Sequence, residues 1–323
     1  MRICGGLIMP AAKNIEEKYI QGIKVDKEND FVFFNDSTHT YYDKETLQKY
    51  ISVTQLVNAY SQEFDEEFWS AYKALEQLMD GDKWSILKPI LLNTKKFKIE
   101  QLSKCGVDKE TFLNLQSEIK AEYKRKRDES CARGTAIHEQ FELGFYGKKQ
   151  FDFSKYNLPA LCGNFDCKQN YYKLDLQRGV YPELLLSCKF DNVLVSGQID
   201  LAIVDGTDVY IIDHKTNAEI KMHSYFDTKR KTRVMMKAPL NDVEDCSWGH
   251  YCLQLSLYAY MIETLYPNLT IKALKINHID HNDKVTILDV PYLKEAVKRM
   301  LKDYSRKLRI KEQLDRIEPY KIG

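Results

Sequence analysis

Two aspartates and a lysine stand close together in strand-forming sequence. Gly197-Gln198-Ile199-Asp200 is followed, across one turn, by Ile211-Ile212-Asp213-His214-Lys215. Side chains alternate faces along a strand, so Asp213 and Lys215 project to one side and His214 to the other. A hairpin partner carrying Asp200 brings a second carboxylate to the Asp213 side. Two carboxylates repel unless a cation lies between them, and a hard divalent ion with oxygen ligands suits such a pair. Lys215 beside them could orient a phosphate or an attacking water. Asp-x-Lys alone is also the sequence of an exposed, salt-bridged strand end. The apolar Ile211 and Ile212 ahead of it point instead to a buried strand that delivers two charges to a cleft.

Upstream, Arg133-Gly134-Thr135-Ala136-Ile137-His138-Glu139-Gln140-Phe141-Glu142 falls on a predicted long helix. His138 and Glu142 are four apart and share a face, and Gly134, one turn earlier, permits close approach of another backbone. His138 could supply a nitrogen ligand to the same ion, although a lone histidine is as readily a hydrogen-bonded structural residue. Gln254 and Tyr258 repeat the four-residue spacing on the helix that follows the strands. Their amide and hydroxyl could touch a phosphate or base, or serve as ordinary packing.

The ordered set Arg133-Gly134-Thr135-x-x-His138, Glu183, Gly197-x-x-Asp200, Asp213-x-Lys215 and Gln254-x-x-x-Tyr258 resembles the RecB-like branch of the PD-(D/E)XK nuclease superfamily. His39-Thr40-Tyr41 and Ser52-Val53-Thr54 ahead of a helix look like the N-terminal part of the phage and mitochondrial genome-maintenance exonucleases in that branch. The resemblance implies a restriction-endonuclease-like α/β core and Mg²⁺ or Mn²⁺ held by His138, Asp200, Asp213 and the backbone carbonyl of His214. It implies a catalytic Lys215, a Glu183 that could hold a water, and Gln254 and Tyr258 placing substrate, with Arg133 and Thr135 also on the substrate side. Relatives with an iron–sulfur cluster carry three cysteines after the glutamine–tyrosine motif; this chain has no cysteine beyond Cys252, so no cluster is expected. The activity implied is that of a DNA exonuclease acting on single-stranded or end-containing DNA in replication, recombination or repair, with unidentified proteins of those processes as further partners. An endonuclease of the same superfamily and a non-catalytic DNA-binding recombination or packaging partner are the alternatives.

The elements that must position these residues read as follows. Residues 1–29 are polar with little periodicity and are expected to form a loosely attached arm. Short β-prone runs at 31–34, 40–42 and 50–53 precede a helix capped by Ser52 or Thr54. Residues 55–130 are mainly helical, with a new start at Val107-Asp108 for a long helix toward Phe145. Val180 to Cys188, Val193 to Val204 and Val209 to Lys215 form a three-stranded meander; a helix from Tyr251 to Leu265, strands near 271–278 and 284–289, and a helix from Tyr292 to Ile310 complete the chain. The domain reading is an arm (1–29), an N-terminal hairpin plus helical region (30–130) and a nuclease core (131–323).

Composition bounds the rest. The 323 residues carry 48 Lys or Arg against 47 Asp or Glu, a net charge of +1, so any polyanion must meet a local basic track rather than a global field. Two runs qualify: Lys124 to Arg127, and Lys229, Arg230, Lys231, Arg233 and Lys237; each could equally be a solvated face. The eight cysteines form no C-x-x-C pair, and reduced thiols are the default. No apolar run approaches the roughly 20 residues of a membrane span. An intracellular location is expected, the bacterial host cytoplasm if the chain is phage-encoded.

Overall fold

The computed structural model describes residues 17–147, 158, 165–168, 176–227 and 231–317. Strands β1 (Lys18–Ile20) and β2 (Ile23–Val25) form a hairpin, and β3 (Lys27–Glu28) pairs antiparallel with β4 (Val32–Asn35). Within the expected arm, residues 18–28 thus form short strands, while 1–16 lie outside the described residues. The cause is local. Gln21 and Gly22 take φ of 47° and 80°, the two positive values that a two-residue hairpin turn needs. Gln-Gly is a far weaker signal for that turn than Asn-Gly. Asn29 fixes the next corner, its Oδ1 accepting the amides of Phe31 and Val32 at 2.9 Å each.

The β-prone runs appear as β4, β5 (Thr40–Asp43) and β6 (Lys49–Ser52), joined antiparallel. Helix α1 (Val53–Asn58) follows directly. Ser52 is its cap: the hydroxyl accepts the Gln55 amide at 3.0 Å while the Gln55 side chain accepts the Ser52 amide at 3.1 Å. Thr54, the other candidate, lies inside the helix. Helices α2 (Glu66–Leu78), α3 (Gly81–Thr94) and α5 (Lys109–Tyr146) begin at Asp65, Asp80 and Asp108, whose carboxylates accept first-turn amides; α4 (Leu102–Cys105) is a single turn between them. The first half of α5 packs through Phe112 and Ile119 onto Phe68, Leu75 and Trp84, a hydrophobic cluster of its own.

The meander is β7 (Gly179–Phe190), β8 (Val193–Asp205) and β9 (Asp208–Lys215). A short hairpin, β10 (Phe226–Asp227) and β11 (Thr232–Arg233), leads to α6 (Ser247–Leu265), β12 (Thr270–Ile279), β13 (Val285–Val290) and α7 (Lys294–Ile317). The large sheet has the order β13-β12-β9-β8-β6-β5-β4-β3, with β7 also paired to β8. The β6–β8 and β9–β12 pairings are parallel and the others antiparallel, so the sheet is mixed.

One face of the sheet is covered by α1, α6 and α7, whose Leu56, Leu253, Leu257 and Met300, with Tyr60 just after α1, share a core with Leu184, Ile199 and Ile211. On the other face Phe141 and Phe145, in the second half of α5, pack with Leu201, Ile203 and Ile212. Burying apolar side chains on both faces is what allows continuous runs such as Tyr210-Ile211-Ile212 in β9. The result is the mixed α/β architecture expected of a restriction-endonuclease-like core: a central mixed sheet flanked by helices, with a helical N-terminal part.

Candidate active site

Strand β8 pairs with β7 along almost its whole length but changes partner on its other side. Residues 195–196 meet β6 and residues 201–205 meet β9, leaving 197–200 between the two. The candidate site lies at this gap. Pro182 pairs with Leu201 and Leu184 with Ile199, which sets Glu183 opposite Asp200; Glu183 itself takes a φ of 50°. That break resets the alternation of both strands. Tyr181 and Leu184, three apart, enter the same core cluster, and so do Ile199 and Ala202. Where β9 leaves β8, the Asp200 carboxylate takes over from the ladder, its Oδ2 accepting the His214 amide at 2.6 Å.

Like charges facing each other across strands repel, and here the second half of α5 supplies a counter-group. His138 Nδ1 lies 3.5 Å from Asp200 Oδ1 and 3.8 Å from Glu183 Oε1, while Nε2 lies 3.1 Å from the His214 carbonyl oxygen. Burial alone would push the imidazole pKa down; the two carboxylates outweigh it and raise it to about 10. Burial likewise works against the Asp200 carboxylate, but His138 holds its pKa below the usual value. The cluster therefore draws in positive charge. Ligand atoms of His138, Glu183 and Asp200 all lie within 4.8 Å of one another. One imidazole nitrogen, hard carboxylate oxygens and an adjacent carbonyl are a donor set suited to Mg²⁺ or Mn²⁺.

Asp213 stands outside that 4.8 Å group. It is 2 % exposed, its Oδ2 lies 2.6 Å from Lys215 Nζ, and its Oδ1 accepts from the Gln254 amide at 3.2 Å. Burial and the neighbouring Asp200 charge raise its pKa despite Lys215. Burial opposes the charge on Lys215, yet Asp213 and Asp200 raise its pKa, so the group is a held ammonium. Its Nζ sits 4.7 Å from the centre of the Tyr251 ring, a cation–π contact. The His214 side chain points to the opposite face, as strand alternation requires, stacking on Phe141 at 4.2 Å and meeting the Asn277 amide at 2.9 Å.

The remaining expected site residues divide. Arg133 is fully engaged: its guanidinium donates to the carbonyls of Thr216 and Asp280 at 2.6 Å each and meets the Asp283 carboxylate at 3.1 Å, clamping α5 to the ends of β9 and β12. Thr135 bonds back to the Cys131 carbonyl of its own helix. Tyr258 is only 4 % exposed, packed against Gly197, where a Cβ would come 2.7 Å from its hydroxyl. Glycine at 197 is thus what lets α6 approach β8. Arg233 donates to the Ser224 carbonyl and faces Glu244, while Lys231 is exposed at the turn between β10 and β11. Lys229 and Arg230 lie outside the described residues. Three of the four residues of the earlier basic run are paired along α5, as Lys124–Asp128, Arg125–Glu129 and Lys126–Glu122.

Three site residues carry little sequence signal. Tyr251 lies three residues before Gln254 on the same helix, and Asn277 is a buried polar residue in the apolar run of β12. Lys27, from β3, reaches Glu142 and Glu183 across 115 and 156 residues of chain; nothing in its neighbourhood announces it.

No family model matches the chain, and no curated protein is similar to it in sequence. Among solved structures it is similar to the "Putative exonuclease" of Eubacterium rectale, at 18% identity over 41% of this chain and 45% of that one with a TM-score of 0.29. It is also similar to SSO0001, at 15% identity over 40% and 50% of the two chains with a TM-score of 0.24. The chain spans about half the length of each. No described helix is long and apolar enough to cross a membrane.

Proposed function

We propose that the chain is a divalent-metal-dependent nuclease that hydrolyses phosphodiester bonds in DNA. The reading goes further to an exonuclease acting on single-stranded or end-containing DNA in replication, recombination or repair. The observation that carries it is the convergence of His138, Glu183 and Asp200 beside a buried Asp213–Lys215 pair, where a strand of the central sheet changes partner. In this reading His138, Glu183, Asp200 and the His214 carbonyl hold Mg²⁺ or Mn²⁺, with Asp213 next to them. A bound divalent ion supplies Lewis acidity and neutralises charge on the non-bridging phosphate oxygens.

The chain's own groups do the rest. Lys215, charged and anchored by Asp213, donates rather than abstracts: its ammonium stabilises charge that develops on the phosphate or orients the attacking water. Gln254 fixes the Asp213 carboxylate from one side, so that the lysine is presented from a rigid partner. Tyr251 faces the ammonium with its ring and limits its contact with solvent. Arg133 acts through position, keeping the helix that bears His138 seated on the ends of β9 and β12. Lys231 and Arg233, with Lys229 and Arg230, are proposed as the backbone-binding track, since Lys231 is exposed at the turn between β10 and β11 whereas Lys124, Arg125 and Lys126 each pair within their own helix.

The test is incubation with Mg²⁺ or Mn²⁺ and end-labelled linear DNA beside closed circular single strands. Degradation of the linear molecule alone is expected. Nicking of the circle would make the enzyme an endonuclease, and retention of DNA without cleavage would reduce it to a binding module.

A further inference from the structure

Lys27 is delivered by β3, which pairs antiparallel with β4 at the end of the large sheet. Its Nζ lies 3.4 Å from Glu142 Oε2 and 3.5 Å from Glu183 Oε2, with the side chain 33% exposed. Glu183 therefore faces two ways. Its Oε1 turns toward His138 and the candidate metal cluster, and its Oε2 turns toward Lys27. Glu142, one turn beyond His138 on α5, closes the second side of the lysine pocket.

A carboxylate shared between two cationic centres is the arrangement by which two-metal hydrolases hold their ions, roughly 3.5–4 Å apart. Here the second centre is filled by a covalently attached ammonium. We propose that Lys27 takes the place of a second divalent ion, so that the site binds one ion and the protein supplies the other positive charge. The inference rests on the metal-dependent reading above.

Three features favour it over an ordinary surface ion pair. An exposed pair contributes little and has no reason to join distant elements, whereas Lys27 joins β3, α5 and β7 at one point. It contacts Glu183, itself a carboxylate of the candidate metal cluster. It sets a positive charge between Glu142 and Glu183 without demanding the near-octahedral shell that a second Mg²⁺ needs. An attached ammonium is also always present at the site, so a second ion need not be recruited from solution.

The experiment is Mn²⁺ binding to the full chain, followed by electron paramagnetic resonance and calorimetry, with folding checked by circular dichroism. Wild type is expected to bind one ion, and Lys27→Met two, the second giving a spin-coupled signal. Lys27→Arg should keep one, because it restores the charge, and Lys27→Met with Glu142→Gln should return to one, because the second pocket has lost a ligand. Lys27→Gln serves the same purpose if the methionine variant does not fold. Two ions in wild type, or a single ion in folded Lys27→Met and Lys27→Gln, would overturn the proposal while leaving the metal-dependent reading intact. No ion in wild type would remove both.

Discussion

Residues 109–128 and 133–146 belong to one helix, α5, yet their charges are satisfied in opposite ways. In the outer half, Lys124, Arg125 and Lys126 each pair with an acidic residue four positions away, on solvent-exposed surface. Its apolar side chains join a separate cluster with α2 and α3. In the inner half, Arg133 is taken up by carbonyls of two strand ends, His138 by carboxylates of β7 and β8, and Glu142 by Lys27 of β3. A charge satisfied by its own helix neighbours stabilises an isolated helix by a few tenths of a kcal/mol and says nothing of function. The charges of the inner half are instead satisfied across elements far apart in sequence and partly desolvated, and it is there that the proposed site lies.

Asp200→Asn should break the inner half most severely. It removes the carboxylate that faces both His138 and the His214 amide, and we expect loss of Mn²⁺ binding by calorimetry and a fall in kcat/KM of more than about a thousandfold, or ~4 kcal/mol of transition-state stabilisation. Phe112→Ala addresses the outer half. Truncating a fully buried phenylalanine should cost about 3–5 kcal/mol in chemical denaturation, while Mn²⁺ affinity of the protein that remains folded stays at the wild-type value. A parallel fall in metal affinity would show the two halves to be coupled.

The metal-free protein offers a milder test of the inner half. The His138 pKa is raised from 6.5 to about 10, so the stability contributed by protonated His138 is fully present below about pH 6.5 and is lost as pH rises toward 10. With chelator present, the denaturation midpoint should decline between pH 7 and 9 in wild type and decline less in His138→Gln. The smallest effect belongs to the outer charges. Replacing Lys124, Arg125 and Lys126 together by serine should leave the denaturation midpoint within error and DNA binding nearly unchanged, whereas Lys231→Ser with Arg233→Ser should weaken binding and lower its salt dependence.

What could be read in the sequence divides along the same line. The meander, the long α5 and the α6–β12–β13–α7 order are carried by apolar periodicity and by capping residues such as Asp108 and Ser52, both local. Asp200, Asp213, Lys215 and His138 could be picked out because each stands at a fixed spacing within a recognisable element. Glu183 was legible as an acidic residue on a strand, but its left-handed φ and its position opposite Asp200 depend on a ladder break that alternation does not encode. Lys27 could not be found at all: two short strands, a Gln-Gly turn and a two-residue pairing to β4 carry it to the site, none with a strong local signal. Tyr258 shows the converse. Its spacing from Gln254 is legible in the sequence, but its packing against Gly197, which the missing Cβ permits, is not.

The central claim is that Lys215 acts on the phosphodiester while His138, Glu183 and Asp200 hold the ion. Lys215→Ala protein, compared with wild type for cleavage of end-labelled linear DNA in Mg²⁺ and for Mn²⁺ binding in the same preparation, tests it most directly. The expected result is metal binding close to that of wild type with cleavage abolished. Cleavage by Lys215→Ala at the wild-type rate would contradict the assignment.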